Sequence, residues 1–223
     1  MNKYCYWWLL PLLVCLLAAC GDDEYHYPPV KLEFLTAYSG ADGSLQSVLT
    51  DEGKTFPVVE DLSNLKIATD TSARIVANYA DAVAVDGTAG VKLYASMKVV
   101  SPVPQTADKF ENGIKTNPAD ILSIWLGLDY LNITIQVKED GQHLLHFIED
   151  EVTVDAATGQ SDVYITLYHE SDQSMKSYTR RAYASMPLRQ YAVEGVRKVA
   201  VHFSLRTYSG DIKTYDIEYI PSL

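Results

Sequence analysis

The sequence predicts an all-β protein, and three observations carry that prediction. Apolar and polar residues alternate along many short stretches, as in Val30-Lys31-Leu32-Glu33-Phe34, the pattern of a strand with one wet face. Turn-forming groups separate the stretches: Asp42-Gly43, Glu52-Gly53, Asp86-Gly87, Asp140-Gly141 and Ser209-Gly210-Asp211. No long segment places its apolar residues at the 3.6-residue period of an amphipathic helix. The second half carries about seven such strands, which suggests a sandwich of two antiparallel sheets.

The chain opens on a leader. Lys3 is its only charge before Asp22, and Tyr6 to Ala19 is apolar throughout. That run is shorter than the ~20 apolar residues a spanning helix needs, and it has the length and flanks of a secretory signal. It ends in Leu17-Ala18-Ala19-Cys20, the lipobox pattern of bacterial lipoproteins. Small residues before the cut fit the narrow pocket of the lipoprotein signal peptidase. The cysteine sulfur then carries a diacylglyceryl group through a thioether. At ~0.8 kcal/mol per buried methylene, two or three acyl chains hold a protein on a membrane durably. Residues 1–19 are therefore expected to be a signal peptide and Cys20 the lipid attachment site. Of the 3 cysteines, Cys5 and Cys15 leave with the signal and lipidation consumes the third. The mature domain then has neither a free thiol nor a disulfide. Residues 20–29 read as a lipidated acidic tether, with Asp22-Asp23-Glu24 behind the cysteine and Pro28-Pro29 stiffening its end. The acidic run resembles a surface-export signal of lipoproteins in one group of Gram-negative anaerobes. The expected address is the outer membrane and the cell surface, with its periplasmic face as the alternative.

Beyond the tether, residues 30–104 hold a first set of strands. After Val30 to Phe34 come Ser44 to Thr50 and a short Thr55 to Val59, which Pro57 puts at an edge or a bulge. Arg74 to Tyr79 follows, with Ile75 and Val76 on opposite faces, and then Val91 to Val100. Residues 105–119, with Asn112-Gly113 and Asn117-Pro118, read as a linker or long loop. Residues 120–223 restart the pattern at Ile121 to Leu126 and Tyr130 to Val137. Gln142 to Glu149, Val163 to His169, Lys176 to Ala184, Val196 to Thr207 and Lys213 to Tyr219 complete it. In Val163 to His169 either Val163, Ile165 and Leu167 or Tyr164 and Tyr168 point inward. One helical turn fits Pro187 to Glu194.

Two of these segments carry a resemblance. "LTDEGKTFPVVEDLSNL" joins a strand, a turn and the string "VEDLS". "ADILSIWLGLDYLNITIQV" contains Ile124-Trp125 and Asp129-Tyr130-Leu131-Asn132-Ile133. With the lipobox and its acidic follow-on, they make the chain resemble the NigD-like lipoproteins over nearly all of its mature length. The resemblance implies an N-terminal OB-type small barrel followed by a C-terminal β-sandwich, with Trp125 and Tyr130 in the core or at the domain interface. The family takes its name from a bacteriocin locus, which implies an immunity-like role. The stretch from Asn78 to Val91, rich in Ala, Asp and Gly, is where this chain departs from the family.

Charge narrows the partners. The formal net charge is −11. Residues 22–104 carry 12 acids against 6 bases, and residues 120–223 carry 15 against 9, so neither half offers a basic patch. An acidic surface repels phosphate backbones, and nucleic acid is not an expected partner. Tyr38, Tyr79 and Tyr94 have few bases around them, whereas stacking on nucleic acid needs aromatics beside basic residues.

The chemistry-bearing residues form no catalytic pattern. His143 and His146, three apart on a strand, face opposite sides and lack a third ligand. Glu149-Asp150-Glu151 with Asp155 lacks calcium-loop spacing. Neither a G-x-S-x-G elbow nor H-E-x-x-H occurs. No cofactor and no metal is expected. Tyr178, Arg180, Arg181 and Tyr183 form a local cationic and aromatic group that could bind an acidic ligand or a sugar. The reading is of a non-enzymatic binding or interaction module, anchored to a lipid bilayer through acylated Cys20 and of the bacteriocin-immunity type. A glycan-binding accessory lipoprotein is the alternative. The ligand is an unknown protein or glycan.

Overall fold

A computed structural model of the chain describes residues 29–139, 141–171 and 175–221. The signal segment, Cys20, most of the tether and Asp140 of the Asp140-Gly141 turn lie outside the described residues. Five strands form a closed barrel: β1 (Lys31–Ser39), β2 (Leu45–Thr50), β3 (Thr55–Asp61), β4 (Ser72–Val83) and β5 (Ala89–Lys98), in the order β1-β2-β3-β5-β4. β4 pairs back onto β1, so no edge is left open. β3 and β5 run parallel, and the other pairs are antiparallel. This is the expected OB-type barrel. Alternate residues fill its interior, among them Leu35, Ala37, Val48, Ile75, Ala77, Val91 and Leu93. Pro57 stands beside a bulge, where the pairing skips between Val58 and Glu60. Gly43 turns the chain between β1 and β2 at φ 77°. A side chain there would also strike the carbonyl of Ile67.

The second layer system is a β-sandwich. β6 (Gln105–Thr106), β9 (His143–Asp155), β10 (Gln160–Ser171), β12 (Lys198–Arg206) and β13 (Ile212–Tyr219) make a sheet in the order β13-β12-β10-β9-β6. β7 (Asp120–Gly127), β8 (Tyr130–Glu139) and β11 (Met175–Pro187) make the facing sheet, ordered β11-β8-β7. The core between them includes Leu131, Ile133, Ile135, Phe147, Ile165, Met186 and Phe203. On β10 the inward set is Val163, Ile165 and Leu167, while Tyr164 is exposed. Tyr168 is also buried, because Phe110 stacks on it at 4.8 Å.

The sheets are not purely antiparallel, as the sequence suggested. β10 and β12 run parallel, because β11 lies in the other sheet and the chain must cross over and return. Residues 105–119 contribute β6, which pairs with β9, a 3₁₀ turn at Ala107–Lys109 and a bridge from Thr116 to His169. A short 3₁₀ turn, Arg189–Tyr191, stands where a helical turn was expected.

Candidate functional site

The alternation of β8 explains how the barrel and the sandwich join. Leu131, Ile133, Ile135 and Val137 face the sandwich core, so Tyr130, Asn132 and Thr134 face the other way. The barrel covers that second face, and Asn132 is fully buried. The outer side of the barrel strands supplies Phe34, Thr36, Arg74 and Val76. Arg74 is the hub. Its side chain is 2% exposed, and its two-pronged contact with Asp51 measures 2.5 and 2.7 Å. It donates further to Ser185 Oγ at 3.0 Å, Asn132 Oδ1 at 3.0 Å and Thr36 Oγ1 at 3.3 Å. Asn132 Nδ2 donates to Asp51 at 2.7 Å, and Ser185 Oγ donates to Asn132 at 2.7 Å. The Tyr130 ring lies 4.4 Å from the guanidinium carbon. A buried arginine needs this many partners, since a charge left unpaired away from water is costly.

Aromatic packing flanks the polar hub. Phe34 meets Trp125 edge-on at 5.2 Å and Tyr183 at 5.8 Å. Val100, just past β5, donates to Tyr183 O and accepts from Ser185 N, so the chain leaving the barrel docks at once on β11. Gly127 allows the close approach, because a methyl group there would overlap the Asp51 carboxylate and the Asn132 amide. Trp125 and Tyr130 thus stand at the interface, one of the two places the family resemblance implied for them. A cleft of about 270 Å³ opens beside the hub, lined by Thr36, Ser72, Arg74, Lys98, Ser101 and Tyr130 among others. Ser185 both accepts and donates within the network, so its hydroxyl is committed to holding the joint.

The four residues singled out on β11 do not share one face. Ala182, Ala184 and Met186 point into the sandwich, so Arg181 and Tyr183 lie on the barrel-facing side and Arg180 on the opposite one. Tyr183 is half-buried against Phe34, whereas Tyr178, Arg180 and Arg181 are exposed. The histidines also part company. His143 Nδ1 lies 2.9 Å from His169 Nε2. His146 accepts from the Phe147 N–H at 2.8 Å and packs edge-on against Phe110. The acids of β9 serve separate partners: Glu149 accepts from Tyr191, Asp150 from Thr166, and Asp155 from its own turn. Among the described residues no three His, Cys, Asp or Glu side chains are grouped to hold a metal.

Two further features were not singled out from the sequence. On the outer face of the five-stranded sheet, His202 bonds Asp216 at 2.7 Å, approaches Asp162 at 3.4 Å and stacks on Tyr164 at 4.5 Å. Partial burial works against its positive charge, but the hydrogen bonds to Asp216 and Asp162 prevail and hold its pKa above the ordinary histidine value. Buried tyrosines also tie carboxylates: Tyr79 to Glu33, Tyr191 to Glu149 and Tyr219 to Asp129, each at 2.7 Å, and Tyr168 to Glu170 at 2.9 Å. Burial and the adjacent carboxylate push all four phenols up. Four of the chain's 16 tyrosines are spent on such ties, and Tyr79 is thereby withdrawn from any stacking surface.

Residues 101–219 match the NigD-like C-terminal beta sandwich domain. No curated protein matches the chain. Among solved structures, a NigD-like immunity protein from Bacteroides caccae is 34% identical, covering 89% of this chain and 100% of that one, with a TM-score of 0.72. A Bacteroides vulgatus protein of unknown function is 16% identical over 85% of this chain and 90% of its own, with a TM-score of 0.63. A candidate lipoprotein of Bacteroides fragilis is 9% identical over 88% of this chain and 100% of its own, with a TM-score of 0.60. The last two share the fold alone. The sandwich match and the full-length relationship to the Bacteroides caccae protein together establish that this chain belongs to the NigD-like family.

Proposed function

We propose that the protein is a lipid-anchored, non-enzymatic binding module of the bacterial outer membrane, exposed at the cell surface, that protects its own cell by engaging a protein toxin. The observation that carries this reading is the relationship, along the whole of the other chain, to a protein described as a NigD-like immunity protein. The lipobox at Cys20 supports the anchor, and the resemblance in fold to a candidate lipoprotein agrees with it. The joint supports the binding role, because Arg74, Asp51, Asn132 and Ser185 spend their polar atoms on one another and hold the two modules as one platform.

The test has two arms. Cells fed an alkynyl fatty acid should label the wild-type protein and not Cys20→Ala; equal labelling removes the anchor. A sensitive strain expressing the protein should survive secreted toxins of neighbouring strains better than one carrying the empty vector. Unchanged killing across a panel of such toxins, with binding on a glycan array, would replace the immunity reading by the glycan-binding one.

A further inference from the structure

We propose that the tip of the β4–β5 hairpin is a second membrane contact, seated in the headgroup region of a zwitterionic phospholipid surface beside the lipid anchor. The inference rests on the anchored reading above and adds to it a surface of the folded domain. Lys31, the first residue of β1, pairs with Tyr79. β4 runs on past that point, and Asp81, Ala82 and Val83 pair with Val91, Gly90 and Ala89 of β5. The two strands therefore project beyond the start of β1 as an arm of Ala-Val-Ala-Val-Asp-Gly-Thr-Ala, residues 82–89. Val83 is 68% exposed and Val85 fully so. Hairpin tips of soluble domains carry polar turn residues, and here apolar residues lead up to the Asp86-Gly87 turn.

The observations favour a lipid surface as what covers the tip. The arm leaves the barrel at the end where β1 begins. Cys20 stands eleven residues before Lys31 in the sequence, a reach of at most ~36 Å at ~3.3 Å per residue. A bilayer holding the acyl chains is therefore within reach of the arm. The tip's backbone is suited to a drier place, because Ala84 N donates to Thr88 O, Gly87 N to Ala84 O, and Thr88 N to Asp86 Oδ1. Charge selects the kind of surface. Asp81 is paired with Lys31 at 2.9 Å, and Asp86 is the remaining charge of the arm. With a net acidic chain, attraction to anionic lipid is absent, and insertion rests on the valines.

The experiment uses the full, processed lipoprotein reconstituted into phosphatidylcholine–phosphatidylethanolamine vesicles. Val85→Cys is labelled with an environment-sensitive fluorophore, and flotation is read alongside emission. The protein should float with the vesicles, with blue-shifted emission that headgroup-region spin-labelled lipids quench. Val83→Asp added to the same background should restore water-like emission while flotation persists. Flotation with water-like, unquenched emission from Val85→Cys alone overturns the membrane contact and leaves the tip to a protein partner. Loss of flotation instead removes the anchor on which the inference depends.

Discussion

Replacing Arg74 by Ala tests whether the joint is a rigid coupling or a loose contact. The substitution removes the hydrogen bonds to Asp51, Asn132, Ser185 and Thr36 and the contact with the Tyr130 ring. It leaves the Asp51 carboxylate without its counter-charge, with the Asn132 amide still donating to it. Breaking a buried ion pair from one side costs ~3–5 kcal/mol. The Asp51 side chain is 20% exposed and can recover some hydration, which sets the expectation near ~3 kcal/mol. Against a total stability of ~5–15 kcal/mol, that is a large fraction. In a protein prepared from Cys20 onward, which lacks Trp7 and Trp8, Trp125 is the one tryptophan, and it reports on the joint directly because it packs on Phe34. Urea unfolding followed by Trp125 fluorescence and by circular dichroism should show the midpoint falling by about 1 M for an m-value of ~3 kcal/mol/M. The two signals should also separate, with fluorescence changing first. Asp51→Ala in the Arg74→Ala background should restore part of the loss, because no carboxylate is then orphaned. A loss below ~1 kcal/mol with coincident transitions would refute the coupling.

Three further outcomes follow from the same geometry. Gly127→Ala should push Asp51 off Arg74 and destabilise by ~1–3 kcal/mol in the same assay. Tyr191→Phe should cost ~1.5–3 kcal/mol, because Glu149 loses a hydrogen bond to a charged acceptor in a mostly buried setting; a neutral result would mean that water replaces the phenol. The pKa of His202 is raised in the fold. Its stabilising contribution is therefore full below the unfolded value of about 6.5 and fades as pH rises through the folded value. His202→Gln should accordingly lower the melting temperature more at about pH 5.5 than at about pH 8.5, and an equal loss at both would count against the carboxylate pairing.

Where the strands fall was legible because alternation and Gly-centred turns are local signals. Ile75 and Val76, placed on opposite faces, lie respectively inside the barrel and outside it against Phe34 and Val99. What covers a face is not a local signal. Thr36, Arg74, Asn132 and Ser185 sit at alternating positions where a polar residue ordinarily meets water. Asn132 was part of a recognised string yet carried no role until Arg74, 58 residues away, came to face it. The joint's trace in the sequence was the family resemblance, which put Trp125 and Tyr130 in the core or at the domain interface. The parallel pairing of β10 with β12 was equally hidden, since strand order depends on where β11 goes.

The joint also sets an order of events during folding. All five barrel strands lie within Lys31–Lys98 and close on one another, so they can assemble before the sandwich exists. Arg74 meets Ser185 only across 111 residues of chain, and contacts of such separation form late. Until then the young barrel presents Phe34, Val76 and Val99 uncovered, an apolar face around the Arg74–Asp51 ion pair, whose two members both belong to the barrel. The sandwich thus covers a face that the barrel by itself would leave open to water. A truncation that removes β8 or β11 should therefore self-associate through that face, which gel filtration of the truncated chain would show.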